Sequence, residues 1–303
     1  MNPFVDVQQI TKRFGNITAL RKVSFTVEPG QIFGLIGPDG AGKTTLFRII
    51  ATLLLPDEGK VLVKGSDVVG NYWKIREIIG YMPGRFSLYQ DLTVKENLEF
   101  FASVFRSSVQ QNYRLIKPIY DQLKPFEERR AGNLSGGMKQ KLALCCALIH
   151  KPLLLILDEP TTGVDAVSRA EFWEILHELV KAGITILVST SYMNEASRCD
   201  RIALLQNGNI LAIGSPDEIV GKFPSQVYSI TSGDNFRLIY TLTRWEKTRF
   251  AWMFGQTVHW IPKEPVDTID HIRAFLDASG IMAVHIDEIS PNMEDCFMEL
   301  MTE

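Results

Sequence analysis

Four cysteines in 303 residues are too few and too scattered to staple a fold. Cys145 and Cys146 are adjacent in an apolar, helix-like run, Cys199 is solitary, and Cys296 lies near the C-terminus. No pair has the two-residue spacing of a zinc knuckle or redox site, so all four read as small buried hydrophobes in a reducing compartment. A basic excess is also missing. Lys plus Arg number 32 and Asp plus Glu 35, a net charge of −3, which argues against a nucleic-acid partner. No apolar run approaches the roughly 20 residues a membrane helix needs. Residues 1–10 lack the basic-then-apolar layout of a secretory signal. The chain is therefore expected in the cytoplasm unless a partner holds it at a membrane. Internal repeats and low-complexity tracts are absent from the sequence. With 46% apolar and 22% charged residues, disordered and collagen-like classes are excluded.

What is there reads as one large domain with a small appendage. Phe4-Val5-Asp6-Val7 and Val23-Ser24-Phe25-Thr26-Val27 alternate as strands do, the second ending at Glu28-Pro29-Gly30. Gln31-Ile32-Phe33-Gly34-Leu35-Ile36 is a short apolar strand. A glycine-rich turn follows it, then a helix-like stretch over about 43–54, stopped by Pro56. Residues 90–150 read mostly helical. Leu153-Leu154-Leu155-Ile156-Leu157 and Ile184-Thr185-Ile186-Leu187-Val188 are buried parallel strands flanking an amphipathic helix over about 166–181. Residues 201–205 and 209–213 form a hairpin through Asn207-Gly208. The large domain is expected to span 1–222. Residues 223–303 read as a small α+β unit, with strands at 251–254, 258–261 and 283–286 and helices over 265–278 and from Met293. Trp245, Trp252 and Trp260 are its expected core. His259, His271 and His285 lack ligand spacing and read as surface or core histidines.

Three motifs carry chemistry. Gly37-Pro38-Asp39-Gly40-Ala41-Gly42-Lys43-Thr44 fits G-x-x-x-x-G-K-[ST] between a strand and a helix. Its glycines let backbone N–H groups curl around phosphate oxygens, and the helix N-terminus adds partial positive charge. Lys43 can reach the outer phosphates and the Thr44 hydroxyl can ligate Mg²⁺. The strand 153–157 runs straight into Asp158-Glu159, placing two carboxylates at the edge of the sheet where such folds bind ligands. Asp158 is positioned to support Mg²⁺, and Glu159 to orient and deprotonate an attacking water. Leu134-Ser135-Gly136-Gly137-Met138-Lys139-Gln140 heads a helix, and Ser135, Gly136 and Gly137 form a second anion site. One chain needs two such sites only if they work on different nucleotides.

The segment LSGGMKQ resembles the signature of ABC ATPases, and the resemblance extends over residues 4–222 with the other parts in the family's order. These are Phe14, the loop of residues 37–45, LSGGMKQ, LLLILDEP and Gly163-Val164-Asp165. It implies an α/β P-loop fold of the ABC ATPase type, with an antiparallel β subdomain and a helical subdomain over about 90–150. It also implies ATP and Mg²⁺ as cofactors, with Phe14 stacked on adenine, Thr45 completing the phosphate loop and Asp165 among the catalytic residues. A head-to-tail dimer is implied, ATP lying between one subunit's phosphate loop and the other's Ser135 signature. Its expected place is the cytoplasmic face of the membrane, beside a permease subunit and a second ABC ATPase subunit. The stretches around Gly80-Tyr81-Met82-Pro83 and Leu88-Tyr89-Gln90-Asp91-Leu92-Thr93, and the closing Asn292-Met293-Glu294-Asp295-Cys296-Phe297, resemble the subgroup serving multidrug-type exporters.

Two positions depart from that family. Gly84 stands where a glutamine is expected to touch Mg²⁺ and the attacking water. Ser191 stands where a histidine is expected at the γ-phosphate. Glycine offers no side-chain group, and serine offers a short uncharged hydroxyl. Arg85, next to Gly84, is a candidate to compensate in part. Two expectations stand side by side: the departures are tolerated in a working enzyme, or the chain binds ATP well but hydrolyses it slowly at its own site while completing the site of a partner. The competing functions are a non-transport ABC-type ATPase and a regulatory module that binds nucleotide without turnover.

Overall fold

The computed structural model describes residues 2–223, 226–265, 268–282 and 284–301. Its contacts divide the chain into two compact units between Pro216 and Asp217. The expected domain boundary at Lys222 falls inside the second.

In chain order the first unit contains β1 (Val5–Phe14), β2 (Ile17–Val27), β3 (Ile32–Ile36), α1 (Lys43–Ile50), β4 (Glu58–Val63), β5 (Ser66–Asp67), α2 (Tyr72–Ile78) and β6 (Ile79–Met82). Then come α3 (Val94–Val104), α4 (Val109–Leu123), α5 (Gly136–Leu148), β7 (Leu154–Asp158), α6 (Ala166–Lys181), β8 (Thr185–Thr190), β9 (Arg201–Gln206) and β10 (Asn209–Gly214). α7 (Pro216–Gly221) crosses the division between the units.

Two sheets form this unit. The antiparallel one has the order β2-β1-β4-β5, and the central one β10-β9-β3-β8-β7-β6. In the central sheet β6, β7, β8, β3 and β9 run parallel, and β10 closes the edge as a hairpin partner of β9. Every residue of β3, β7 and β8 is buried, so their unbroken apolar runs match strands covered on both faces. Parallel register brings Asp158 opposite Ser189 and Ile36 opposite Thr190, so the strand ends carrying polar groups lie side by side. The β9–β10 turn takes Asn207 at φ 48° and Gly208 at φ 78°, the left-handed pair a two-residue hairpin requires. One apolar core joins the antiparallel sheet, α1 and a face of the central sheet through Val5, Phe25, Phe33, Phe47 and Leu187.

The helices start where their capping residues put them. Thr93 with Glu96 and Ser108 with Gln111 form capping boxes at α3 and α4, and Asp165 caps α6. The helix expected over 43–54 ends instead at Ile50. Thr52 turns left-handed at φ 62°, and the Thr52 and Leu53 N–H groups donate back to the Ile49 and Arg48 carbonyls. β6 has no expectation behind it, being only four residues long with Gly80 inside. That glycine is needed because a Cβ would stand 2.4 Å from the Ala147 carbonyl oxygen at the end of α5.

The second unit holds β11 (Val227–Thr231), α8 (Asn235–Thr243), β12 (Thr248–Phe254), β13 (Thr257–Pro262), α9 (Ile269–Ala278), β14 (His285–Ile289) and α10 (Met293–Leu300). Its antiparallel sheet has the order β12-β13-β11-β14. β11 and α8 were not expected from the sequence. The helix expected over 265–278 begins at Ile269, with Val266 and Asp267 outside the described residues, as is Ala283 of the expected strand 283–286. Trp260 is fully buried, Trp245 stacks between it and Phe275, and Trp252 packs with Val227 and Ile261. No helix among the described residues is long and apolar enough to cross a membrane.

Candidate active site

The loop after β3 wraps the N-terminus of α1. Gly40 and Gly42 adopt φ 81° and 111°, and a Cβ on Gly37 would stand 2.1 Å from the Leu205 carbonyl oxygen, so glycine alone fits at 37. The loop borders a cavity of about 580 Å³ with Asp39, Gly40, Gly42, Lys43, Thr44 and Thr45. Ala19 and Arg48 border it too, as do Pro83, Gly84, Arg85, Asp158 and Glu159.

Lys43 is 3% exposed, and its ammonium donates to the Gly37 and Pro38 carbonyls at 2.7 and 3.0 Å. It also pairs with Glu159 Oε1 at 3.0 Å. Asp158 Oδ1 accepts from Ser189 Oγ at 2.7 Å and from Thr44 Oγ1 at 3.1 Å. Oδ2 of the same carboxylate takes no hydrogen bond among the described residues. Glu159 is a non-glycine residue at φ 49°, a backbone cost tolerated because its N–H is held by the Ser189 carbonyl and hydroxyl. Burial, and then the nearby Asp158 charge, raises the Tyr81 phenol above its ordinary pKa. A hydroxyl and a carboxylate 3.1 Å apart, with carboxylate capacity to spare, form the hard-oxygen set that suits Mg²⁺ completed by phosphate and water. Thr44 and Asp158 therefore fit such an ion.

Comparison with known proteins bears on this geometry. A model of the ABC transporter family matches residues 20–162. The chain is 39% identical to the probable multidrug ABC transporter ATP-binding protein YbhF of Escherichia coli strain K12, over 98% of this chain and 52% of that protein. It thus spans about half the length of that relative. It is 37% identical to the Nod factor export ATP-binding protein I of Rhizobium meliloti strain 1021, over 98% of this chain and 87% of that protein. The chain belongs to the ATP-binding proteins of ABC transporters. Among solved structures, a dimeric ATP-binding cassette in a post-hydrolysis state with ADP and phosphate superposes with a TM-score of 0.63. That match has 27% identity and covers 70% of this chain and 98% of that one.

Within this ABC ATPase fold the three motifs do not converge. Ser135 caps α5, accepting from the Met138 N–H at 3.4 Å, and neither it nor Gly136 or Gly137 lines the cavity. The two glycines also serve packing: a Cβ on Gly136 would lie 3.1 Å from the Gly163 carbonyl oxygen, and one on Gly137 2.9 Å from Ser168 Oγ. Asp165 caps α6 through Ser168 N at 3.0 Å, and that bond draws its carboxyl below the ordinary range. Ala41 is buried behind the loop. Phe14 is 49% exposed at the tip of the β1–β2 hairpin, with Lys12 Nζ 5.5 Å from its ring centre, and it does not line the cavity, whereas Ala19 of β2 does. Gly84 lines the cavity with backbone only, and Ser191 does not line it.

Sequence reasoning missed Ser189 and a buried clamp. Ser189 ties Asp158 to the Glu159 backbone. Glu195 is 4% exposed, and its Oε2 accepts from Thr190 Oγ1 at 2.6 Å and Thr161 Oγ1 at 3.1 Å, fastening the segments after β8 and β7 together. The available signal was the run Ser189-Thr190 closing an otherwise apolar strand, since buried hydroxyls need partners.

Proposed function

We propose that this chain is the ATP-hydrolysing subunit of an exporter, working at the cytoplasmic face of the membrane through a separate permease. The observation that carries the reading is the set Lys43, Thr44, Asp158 and Glu159 gathered around one cavity while the Ser135 signature stands outside it. A nucleotide held by this loop has no signature to contact within its own subunit, so a second ABC ATPase subunit supplies it, in a head-to-tail arrangement. The backbone of residues 37–45 cradles the phosphates, and Phe14, exposed at its hairpin tip, stacks on the adenine. Thr44 and Asp158 would hold Mg²⁺, which would supply neutralisation of charge on the outer phosphate oxygens. Glu159 gives up its ion pair with Lys43 to the incoming phosphates and is freed to orient and deprotonate water. Asp165 acts at the dimer face through the cap of α6.

The export direction is supported by the relatives, one described as a multidrug and one as a Nod factor export protein. A groove of about 340 Å³, walled by Phe86, Leu88, Phe101 and Phe105 and also bordered by Arg76, Arg85 and Gln140, suits an amphipathic helix of the permease. Hydrolysis at this subunit's own site is slow, because Gly84 and Ser191 supply no side chain to the cavity. Loss of one positioned contact to a transferring group costs on the order of 10²-fold in rate. Single-turnover hydrolysis by the purified chain, alone and with a partner ATPase, tests this. Slow turnover alone and faster turnover in the mixture are expected. Fast turnover alone, abolished by Glu159→Gln, contradicts the slow site while leaving the ATPase assignment intact.

A further inference from the structure

Three cations line the nucleotide cavity, and one of them, Lys43, is already engaged. Lys43 is tied to Gly37, Pro38 and Glu159, whereas Arg48 is exposed on α1 and its side chain makes no hydrogen bond or ion pair among the described residues, its root lying on that helix and not on the loop after β6. Arg85 is the third, exposed, and among the described residues it makes no hydrogen bond or ion pair. Its root is fixed at one end of the cavity. Gly84 lies so close to the end of β7 that a Cβ there would stand 3.0 Å from the Asp158 carbonyl oxygen and 3.8 Å from Asp158 Cγ. The next residue therefore starts beside Asp158 and Glu159. Lys43 reaches that same end, where it meets Glu159 at 3.0 Å, so the outermost phosphate of a nucleotide cradled by the loop would fall there.

We propose that Arg85 contacts the γ-phosphate of bound ATP and makes the site distinguish ATP from ADP. This rests on the ATPase reading above and adds the residue that senses the third phosphate. A guanidinium on a long arm presents a planar fork matched to phosphate oxygens, and the glycine before it lets the loop press close to β7. Neither Gly84 nor Ser191 places a side chain in the cavity, so Arg85 is the cation available from this loop.

The test is equilibrium binding of Mg-ATPγS and Mg-ADP to the full chain, for wild type, Arg85→Ala and Arg85→Lys, with thermal melts as a folding control. Losing a charge-assisted phosphate contact should weaken ATPγS binding about tenfold or more in Arg85→Ala. ADP binding should stay within about twofold, and Arg85→Lys should recover part of the loss. An unchanged ratio of ATPγS to ADP affinity in Arg85→Ala overturns the proposal, whether both affinities fall together or neither moves. If wild type binds neither nucleotide, the underlying ATPase reading fails and this proposal with it.

Discussion

The two compact units both bury a carboxylate, Asp158 in the first and Asp295 in the second, but with opposite consequences. In the second unit both oxygens of Asp295 are engaged, and the residue is wholly buried. Its Oδ1 meets His259 Nδ1 at 2.7 Å, its Oδ2 accepts from the Asn292 N–H in the capping box of α10, and Phe254 stacks on the imidazole. In the first unit Asp158 has Oδ1 held by Ser189 and Thr44 while Oδ2 is left over, beside a cavity of about 580 Å³. A buried charge is a sign of function when its geometry leaves capacity facing a space that a ligand can enter. A buried charge whose bonds are all taken up by the protein stabilises a fold.

That contrast can be broken by mutation. The largest effect is expected for Glu159→Gln, which should lower ATP turnover by roughly 10²–10⁴-fold while ATP binding persists, read by phosphate release and by calorimetry. Lys43→Ala should come next, weakening nucleotide binding by about 10²-fold, since it removes a charged donor to the outer phosphates. In the second unit, Asp295→Ala should cost about 1–3 kcal/mol of stability, seen as an earlier melting transition of the full chain. Turnover per folded molecule should stay within about twofold. A turnover loss matching that of Glu159→Gln would erase the distinction between the two carboxylates.

The smallest effect concerns the thiols. Burial pushes the Cys296 thiol up to about 12 and the other three well above their ordinary range. A raised thiol pKa leaves the neutral form in place as pH rises, so at pH 8 only about one Cys296 in ten thousand is thiolate. The native chain should therefore resist a disulfide reagent at pH 8, with reactivity climbing only toward pH 12. In denaturant all four cysteines should react, with a midpoint near 8.5. Rapid reaction of the native protein at pH 8 would show that the packing around the reacting thiol is looser than described.

Much of this is legible in the amino-acid sequence. The central strands announced themselves as apolar runs because both their faces are covered. The α6 boundaries followed from its periodicity, and the β9–β10 turn from Asn207-Gly208. What stayed hidden depends on distant partners. β6 is a strand because β7 pairs with it, and β11 because β13 and β14 flank it; neither alternates over enough residues to declare itself. α1 stops at Ile50 through a left-handed Thr52 that its sequence does not demand. At the site, the phosphate loop and Asp158-Glu159 were readable because their chemistry is local to a few consecutive residues. Ser189 and Glu195 were not, since their partners come from residues 5 to 34 positions away along the chain. The glycines of the signature carried two meanings, and only the anion-binding one was visible in the sequence. The close approach of Gly137 to Ser168 appears once α5 and α6 are packed.

The central claim is that ATP is shared between the phosphate loop of one subunit and the Ser135 signature of another. Sedimentation of the Glu159→Gln chain tests it most directly, alone and mixed with a partner ATPase, with and without Mg-ATP. Association that requires ATP, is absent with ADP, and is lost on Ser135→Arg is the predicted result. An unchanged sedimentation coefficient at saturating Mg-ATP in every mixture would contradict it.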